Sequence, residues 1–128
     1  METLIEKTQL NAFDVSIRTG IEQIVDGLRQ ILGAKLVAYI AGVSETRAVR
    51  EWAEGERTPS PTAEQHLRVV FRIVRLIEQS EGSGVAATWF QGMNPLLGDK
   101  SPARVLREDR TEEARAAVVS AANAFVGA

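Results

Sequence analysis

The segment at residues 63–79 constrains the fold of this chain more than any other. Its apolar residues recur at three- and four-residue steps, a spacing that predicts an amphipathic helix. They form two stripes, Leu67, Val70, Phe71, Val74 and Ile77 on one and Val69, Ile73 and Leu76 on the other. Only the flank bearing Arg68, Arg72 and Arg75 stays polar, so this central helix should lie between two neighbours, or between the core and a second subunit, with its arginines in water.

The sequence before the central helix predicts a flexible leader followed by three shorter helices. Residues 1–18 show no sustained period, so we expect a leader that is frayed or that is ordered by a partner. From residue 19 a helical repeat runs to Leu32 and stops at Gly33, and a short helix over residues 35–41 ends at Gly42. Ser44 is placed to cap the next helix, which should run to residue 54. Residues 56–62 contain two prolines and predict a linker.

The sequence after the central helix also predicts helices only. Residues 80–84 indicate a flexible joint, and residues 85–90 a short helix that breaks at Gly92. Ser101 and Pro102 are typical of a helix start, here of a helix through residue 108. Thr111 should open a last helix, with one face formed by Ala114, Val118, Ala121 and Phe125. No strand pattern competes, so the fold class is predicted to be all-α.

Composition argues against an enzyme and against a membrane protein. The chain has 128 residues, the size of one domain, no cysteine, and His66 as its only histidine, which we expect on the surface. The carboxylates of residues 108–113 fit a helix start. We therefore expect no catalytic residues, no metal and no cofactor. Neither a secretion signal nor an uninterrupted apolar run of membrane-spanning length occurs, so a cytoplasmic protein is expected.

Residues 36–55 predict a helix-turn-helix, because a short helix, a glycine turn, a second helix and a stop follow one another. Val43, Val49 and Trp52 should pack inward, while Arg47 and Arg50 face outward as the expected readers of base edges. The net charge is −2, and residues 44–57 hold four glutamates against three arginines, so a helical hairpin buried in a core remains the alternative. The predicted DNA-binding residues are Ser44, Glu45, Thr46, Arg47, Arg50, Arg57 and Thr58.

Two segments together resemble the MbcA/ParS/Xre antitoxin family. The first is VSETRAVREWAEGERTP, which holds one residue more between Ser44 and Trp52 than the common Xre spacing. The second and more specific is AATWFQGMNPLLGDKSPARVLRED, in which a tryptophan precedes an asparagine, a leucine pair and Pro-Ala. The matching residues are Trp89, Asn94, Leu96, Leu97, Pro102 and Ala103.

The resemblance implies an antitoxin of a type II toxin-antitoxin pair that neutralises a RES-domain, NAD-degrading toxin encoded by the adjacent gene. It also implies a homodimer that binds operator DNA and represses its own operon. The expected organisation is a flexible leader (1–18), an Xre-like helix-turn-helix region with the central helix (19–80) and a helical C-terminal toxin-binding part (81–128). The implied toxin-binding residues are Trp89, Phe90, Gln91, Met93, Asn94, Leu96, Leu97, Pro102 and Arg104.

Within the toxin-binding segment, rigid apolar side chains would serve as interface anchors. Phe90, Met93 and Leu96 are expected mainly at the partner and Trp89 mainly in the core, although Trp89 and Leu97 could both simply seal the core. Asn94 could pair with a partner's backbone or cap the local turn. Two other functions stay open, a stand-alone helix-turn-helix transcriptional regulator and a small structural adaptor.

Overall fold

The computed structural model describes residues 3–127, with residues 14–18 described by their backbone only. The described residues form an all-helical fold, as predicted. The predictions that include residues 1, 2 and 128 fall in part outside the described residues. Besides the α-helices, Pro95–Leu97 forms a 3-10 turn. The helices are α1 (Leu4–Arg18), α2 (Ile21–Leu32), α3 (Ala34–Ala41), α4 (Thr46–Ala53), α5 (Pro61–Glu81), α6 (Val85–Gln91), α7 (Pro102–Glu108) and α8 (Glu112–Gly127).

The central helix α5 is confirmed, and it extends two residues beyond the predicted segment at each end. It begins where the Ser60 hydroxyl accepts a hydrogen bond from the Ala63 amide at 3.2 Å, with Pro61 in the first turn. Both predicted apolar stripes are turned inward, and α1, α2, α3, α6 and α8 pack around this helix. The helix therefore organises the core, as its two-sided apolar pattern indicated.

Residues 1–18 were predicted to form a frayed or partner-ordered leader, and the described part of this segment is a helix packed on the same chain. Leu4–Arg18 forms α1, which packs along α5 more extensively than any other pair of helices in the described chain. Its start is a capping box: the Glu6 amide donates to the Thr3 hydroxyl, and the Thr3 amide donates to the Glu6 carboxylate, both at 3.0 Å. The segment contributes the fully buried Ala12 to the core.

The arginines of α5 are likewise not simply in water, because α1 and the chain after it cover their flank. Arg68 donates to the Thr19 carbonyl at 2.7 Å and pairs with Glu64 at 3.0 Å. The guanidinium of Arg72 lies 4.8 Å from the centre of the Phe13 ring. These contacts join α1 and the chain after it to the charged flank of the central helix.

The C-terminal helices begin close to the predicted positions. The Ser101 hydroxyl accepts from the Arg104 amide at 3.1 Å and caps α7, whose first residue is Pro102. The Thr111 hydroxyl accepts from the Ala114 amide at 3.2 Å in the same way, one residue before α8 starts. Of the predicted inner face of α8, the side chain of Phe125 is the exception, since it remains 37% exposed.

Arg110, between α7 and α8, joins the C-terminal helices to α3. Its guanidinium donates to the carbonyls of Ile40 at 2.9 Å and Ala41 at 2.7 Å, which end α3, and to the Leu106 carbonyl at 3.0 Å. Carbonyls at the C-terminal end of a helix lack hydrogen-bond donors within the helix, and the Arg110 guanidinium provides these donors for α3. Buried residues before and after residue 80 belong to one core cluster. The C-terminal part of the chain therefore packs together with the region where the helix-turn-helix is predicted.

Candidate functional site

Where the sequence predicts a helix-turn-helix, the structure has α3, a turn and α4. Gly42 adopts the left-handed conformation (φ 87°), and its amide donates to the carbonyls of Ala38 at 3.0 Å and Tyr39 at 3.2 Å. This closes α3 as a glycine C-cap does. The prediction that Ser44 caps the second helix is wrong, because Glu45 occupies the cap position and makes no side-chain cap bond.

Helix α4 presents the predicted faces. Val49 and Trp52 are buried against the core, whereas Thr46, Arg47 and Arg50 are exposed. The outward positions therefore stand where the sequence placed them, despite the additional residue before the tryptophan. Thr46 and Arg47 lie in the first turn of α4, the end of a recognition helix that usually meets base edges.

The arginines of this face are engaged by carboxylates of the same surface. Glu51 lies 3.8 Å from Arg47 and 3.7 Å from Arg57, and Arg50 is 2.9 Å from Glu54. The Arg50–Glu54 pair is exposed on both sides, and such pairs contribute about 0 to 1 kcal/mol, so a phosphate or base can displace Glu54 at small cost. The pairing does, however, cancel much of the positive potential that would attract DNA.

A cleft of about 550 Å³ brings together four of the seven predicted DNA-binding residues, Ser44, Glu45, Arg47 and Arg57. Thr46, Arg50 and Thr58 are exposed but do not line it. The candidate interface is thus the open surface around the N-terminal end of α4 rather than an enclosed pocket.

The second candidate site is the loop after α6, which is held in a fixed shape by Asn94. Its side-chain oxygen accepts from the Leu96 amide at 3.0 Å, and its carbonyl accepts from the amides of Leu97 at 2.9 Å and Asp99 at 3.0 Å. Its own amide donates to the Lys100 carbonyl at 3.2 Å. Of the two predicted roles for Asn94, the local cap is the one that the structure contains.

This ordered loop projects apolar side chains into solvent. Met93 is 81% exposed and Leu96 66% exposed, while Leu97 is half-buried against the core. Large apolar side chains on a surface are common singly, but two on one hydrogen-bonded turn form a local apolar feature that a partner could cover.

The aromatic pair before the loop is arranged opposite to the prediction. Phe90 is completely buried and cannot reach a partner in this conformation, whereas Trp89 is only half-buried. The two rings pack edge to face with centroids 5.1 Å apart, and the Phe125 ring lies 6.3 Å from that of Trp89. Phe125, which periodicity assigned to the inner face of α8, thereby adds exposed apolar surface beside Trp89.

Of the three remaining predicted toxin-binding residues, one is buried and two are exposed. Pro102 is buried as the first residue of α7. Gln91 and Arg104 are exposed, and Arg104 shares the Glu108 carboxylate with Lys100, at 2.7 Å and 3.1 Å. These charged and amide groups lie close in sequence to the apolar loop and are the polar side chains that a partner seated there would meet.

The prediction that His66 lies on the surface is wrong, since its side chain is fully buried between α5, α7 and α8. Its Nε2 faces the carbonyls of Leu106 at 3.0 Å and Asp109 at 3.2 Å, so this nitrogen must carry the proton. Nδ1 then accepts from Arg115 at 3.1 Å. Burial, followed by the nearby Arg110 guanidinium, lowers the pKa of this imidazole below its ordinary 6.5. His66 therefore has a structural role in joining the three helices.

Comparison of the chain with protein-family models, with curated proteins and with solved structures finds no significant match. Among the side chains that the structure describes, no group of three or more His, Asp or Glu is gathered so as to hold a metal ion. Within residues 3–127 there is also no helix whose length and apolar character would let it cross a bilayer.

Proposed function

We propose that this protein is a non-enzymatic, homodimeric antitoxin of a type II toxin-antitoxin pair that acts in the cytoplasm. It binds a RES-domain, NAD-degrading toxin encoded by the adjacent gene and blocks the toxin's active site. It also represses its own operon through the helix-turn-helix. The proposal is supported by the sequence resemblance carried by residues 43–59 and 86–109 and by the two exposed surfaces described above.

The observation that carries the toxin-binding part is the exposure of Met93 and Leu96 on a loop that Asn94 fixes. Interfaces depend on a few large side chains that become fully desolvated on binding. Because the loop is already ordered by four hydrogen bonds to Asn94, little conformational freedom remains to be lost when a partner binds. Met is suited to this position because its flexible thioether adapts to an irregular cleft.

The DNA-binding part is supported by two exposed arginines of α4, Arg47 in its first turn and Arg50 in its last turn. Arg47 and Arg50 can exchange their carboxylate partners for a guanine edge, which a guanidinium recognises through two parallel hydrogen bonds. Since each monomer offers few unpaired cations on this face, two copies on a palindromic operator would supply the affinity that one lacks.

The test is co-purification of the adjacent gene's product with the wild-type protein and with a Met93→Asp, Leu96→Asp double variant. Each anchor of this kind contributes about 2 kcal/mol or more, so the double variant should lose roughly a thousandfold in affinity. Leu10→Asp is the matched control, because Leu10 is 56% exposed on α1, away from the loop.

Circular dichroism should show all three proteins folded, since these side chains lie at the surface. Wild-type affinity in the folded double variant would remove the toxin-binding assignment of the loop. A neighbouring product that does not bind at all, together with operator binding by this chain, would favour the stand-alone regulator instead.

A further inference from the structure

The cations around the helix-turn-helix differ in whether a carboxylate lies close enough to form an ion pair with them. Arg47, Arg50 and Arg57 each have a carboxylate within 4.0 Å. Lys35 and Arg107 have none among the described residues, although both border the same surface. These two side chains are therefore a source of positive potential that the self-paired face of α4 lacks.

Arg107 belongs to α7, yet its guanidinium is held against the helix-turn-helix. Nη1 donates to the carbonyls of Tyr39 at 2.9 Å and Val43 at 3.2 Å, at the end of α3 and in the turn. The guanidinium carbon also lies 4.9 Å from the centre of the Tyr39 ring. One nitrogen and one face of the group are thus fixed by the protein, and the N–H groups on Nε and Nη2 remain to bind a ligand.

Lys35 and Arg107 line the same cleft, of about 780 Å³, which reaches the N-terminal end of α4. Its lining includes three cations, Lys35, Arg47 and Arg107, against the single carboxylate of Glu45. The cleft shares Ser44, Glu45 and Arg47 with the cleft on the other side of the helix start. A polyanion that occupied the α4 face would therefore pass directly over the two unpaired cations.

We propose that Arg107 and Lys35 bind backbone phosphates of duplex DNA on the flank of the helix that reads base edges. This inference rests on the DNA-binding part of the proposed function and extends it to the C-terminal part of the chain. Arg107, immobilised by two carbonyls and the Tyr39 ring, binds a phosphate oxygen with little further ordering. Phosphate contacts carry no sequence information, so these residues position the protein and do not select the operator.

The test uses a fluorescein-labelled duplex of arbitrary sequence, about two helical turns long, and measures anisotropy between about 50 and 200 mM salt. Each lost phosphate contact lowers the slope of log K against log salt by about 0.9, so a Lys35→Gln, Arg107→Gln variant should lose about 1.8. Lys7→Gln is the control, with the same change of charge as Lys35→Gln on the exposed side of α1.

Two single variants separate binding from a purely structural role of Arg107. The side chain of Lys35 is exposed and has no ion pair with the described residues, so Lys35→Gln alone should lower the slope by about 0.9 at unchanged melting temperature. Arg107→Lys, which keeps the charge, should retain most of the slope that Arg107→Gln loses. Slopes for Lys35→Gln and the double variant equal to that of Lys7→Gln would overturn the proposal.

Failure of the wild-type protein to bind the duplex even at low salt would also overturn the inference. That result would remove the DNA-binding part of the proposed function as well, but it would leave the toxin-binding part to the separate co-purification test. Normal wild-type binding with unchanged slopes in the variants would overturn this inference alone.

Discussion

Acidification should destabilise the fold through His66, the only histidine in the chain. In the folded protein the neutral ring donates from Nε2 to two carbonyls and accepts at Nδ1 from Arg115. A second proton would place an N–H group on Nδ1 against the N–H of Arg115 and a positive charge near Arg110. The folded state therefore favours the neutral imidazole, and the pKa of His66 is lowered, first by burial and then by the nearby guanidinium groups of Arg110 and Arg115.

The direction of the pH effect follows from that lowered pKa. Above the ordinary value of 6.5 both the folded and the unfolded chains hold a neutral imidazole, so this contribution to stability is fully present. As the pH falls below 6.5, the unfolded chain takes up the proton and the folded chain does not. The free energy of unfolding then falls by up to about 1.4 kcal/mol per pH unit, until the folded pKa is reached.

Urea unfolding at several values between about pH 7.5 and pH 5 measures this loss. A His66→Gln variant is the comparison, because it cannot titrate while the carboxylates of the two proteins remain the same. We expect the difference in unfolding free energy between the two proteins to shrink as the pH falls through this window. A difference that is independent of pH would refute the assignment of His66 as a buried neutral ring.

Two further predictions concern residues that the structure buries or bonds. Phe90→Ala should cost about 3 to 5 kcal/mol of stability, because it leaves a cavity beside Trp89. Met93→Ala, at an exposed position nearby, should change stability by less than about 0.5 kcal/mol. Chemical denaturation measures both variants, and equal stabilities would contradict the core position of Phe90. Arg110→Ala should cost about 2 to 4 kcal/mol, since it removes three charge-assisted bonds to carbonyls, two of them at the end of α3. Arg104→Ala, which loses only an exposed ion pair, should be nearly as stable as the wild type in the same chemical denaturation, and a similar loss of stability in both variants would contradict the bracing role of Arg110.

The helices were predictable wherever the sequence carried a long period or a capped start. Helix α5 is long enough for its repeat to define both faces, and Ser101 followed by Pro102 marked the start of α7 correctly. The capping box of Thr3 and Glu6 was an available signal for the start of α1, although the sequence there shows no sustained apolar period.

The predictions for His66 and Phe90 were wrong because residue type alone does not show which face of a helix a side chain occupies. His66 lies one residue before Leu67 and four before Val70, so its position on α5 already belonged to the buried stripe. Helix α6 has only seven residues, too few to fix which of Trp89 and Phe90 turns inward. The bonds of Arg107 and Arg110 to α3 join residues more than sixty positions apart, and no local pattern predicts them.

The most direct test of the account is an assay of NAD loss by the product of the adjacent gene, with and without this protein. If the chain is the antitoxin, the neighbour alone should consume NAD, and a stoichiometric amount of the wild-type protein should suppress that consumption through a stable complex. The Met93→Asp, Leu96→Asp variant should leave the NAD loss unsuppressed, because it lacks the apolar anchors of the loop. NAD consumption that continues unchanged in the presence of the folded wild-type protein, or a neighbour that leaves NAD untouched, would contradict the account.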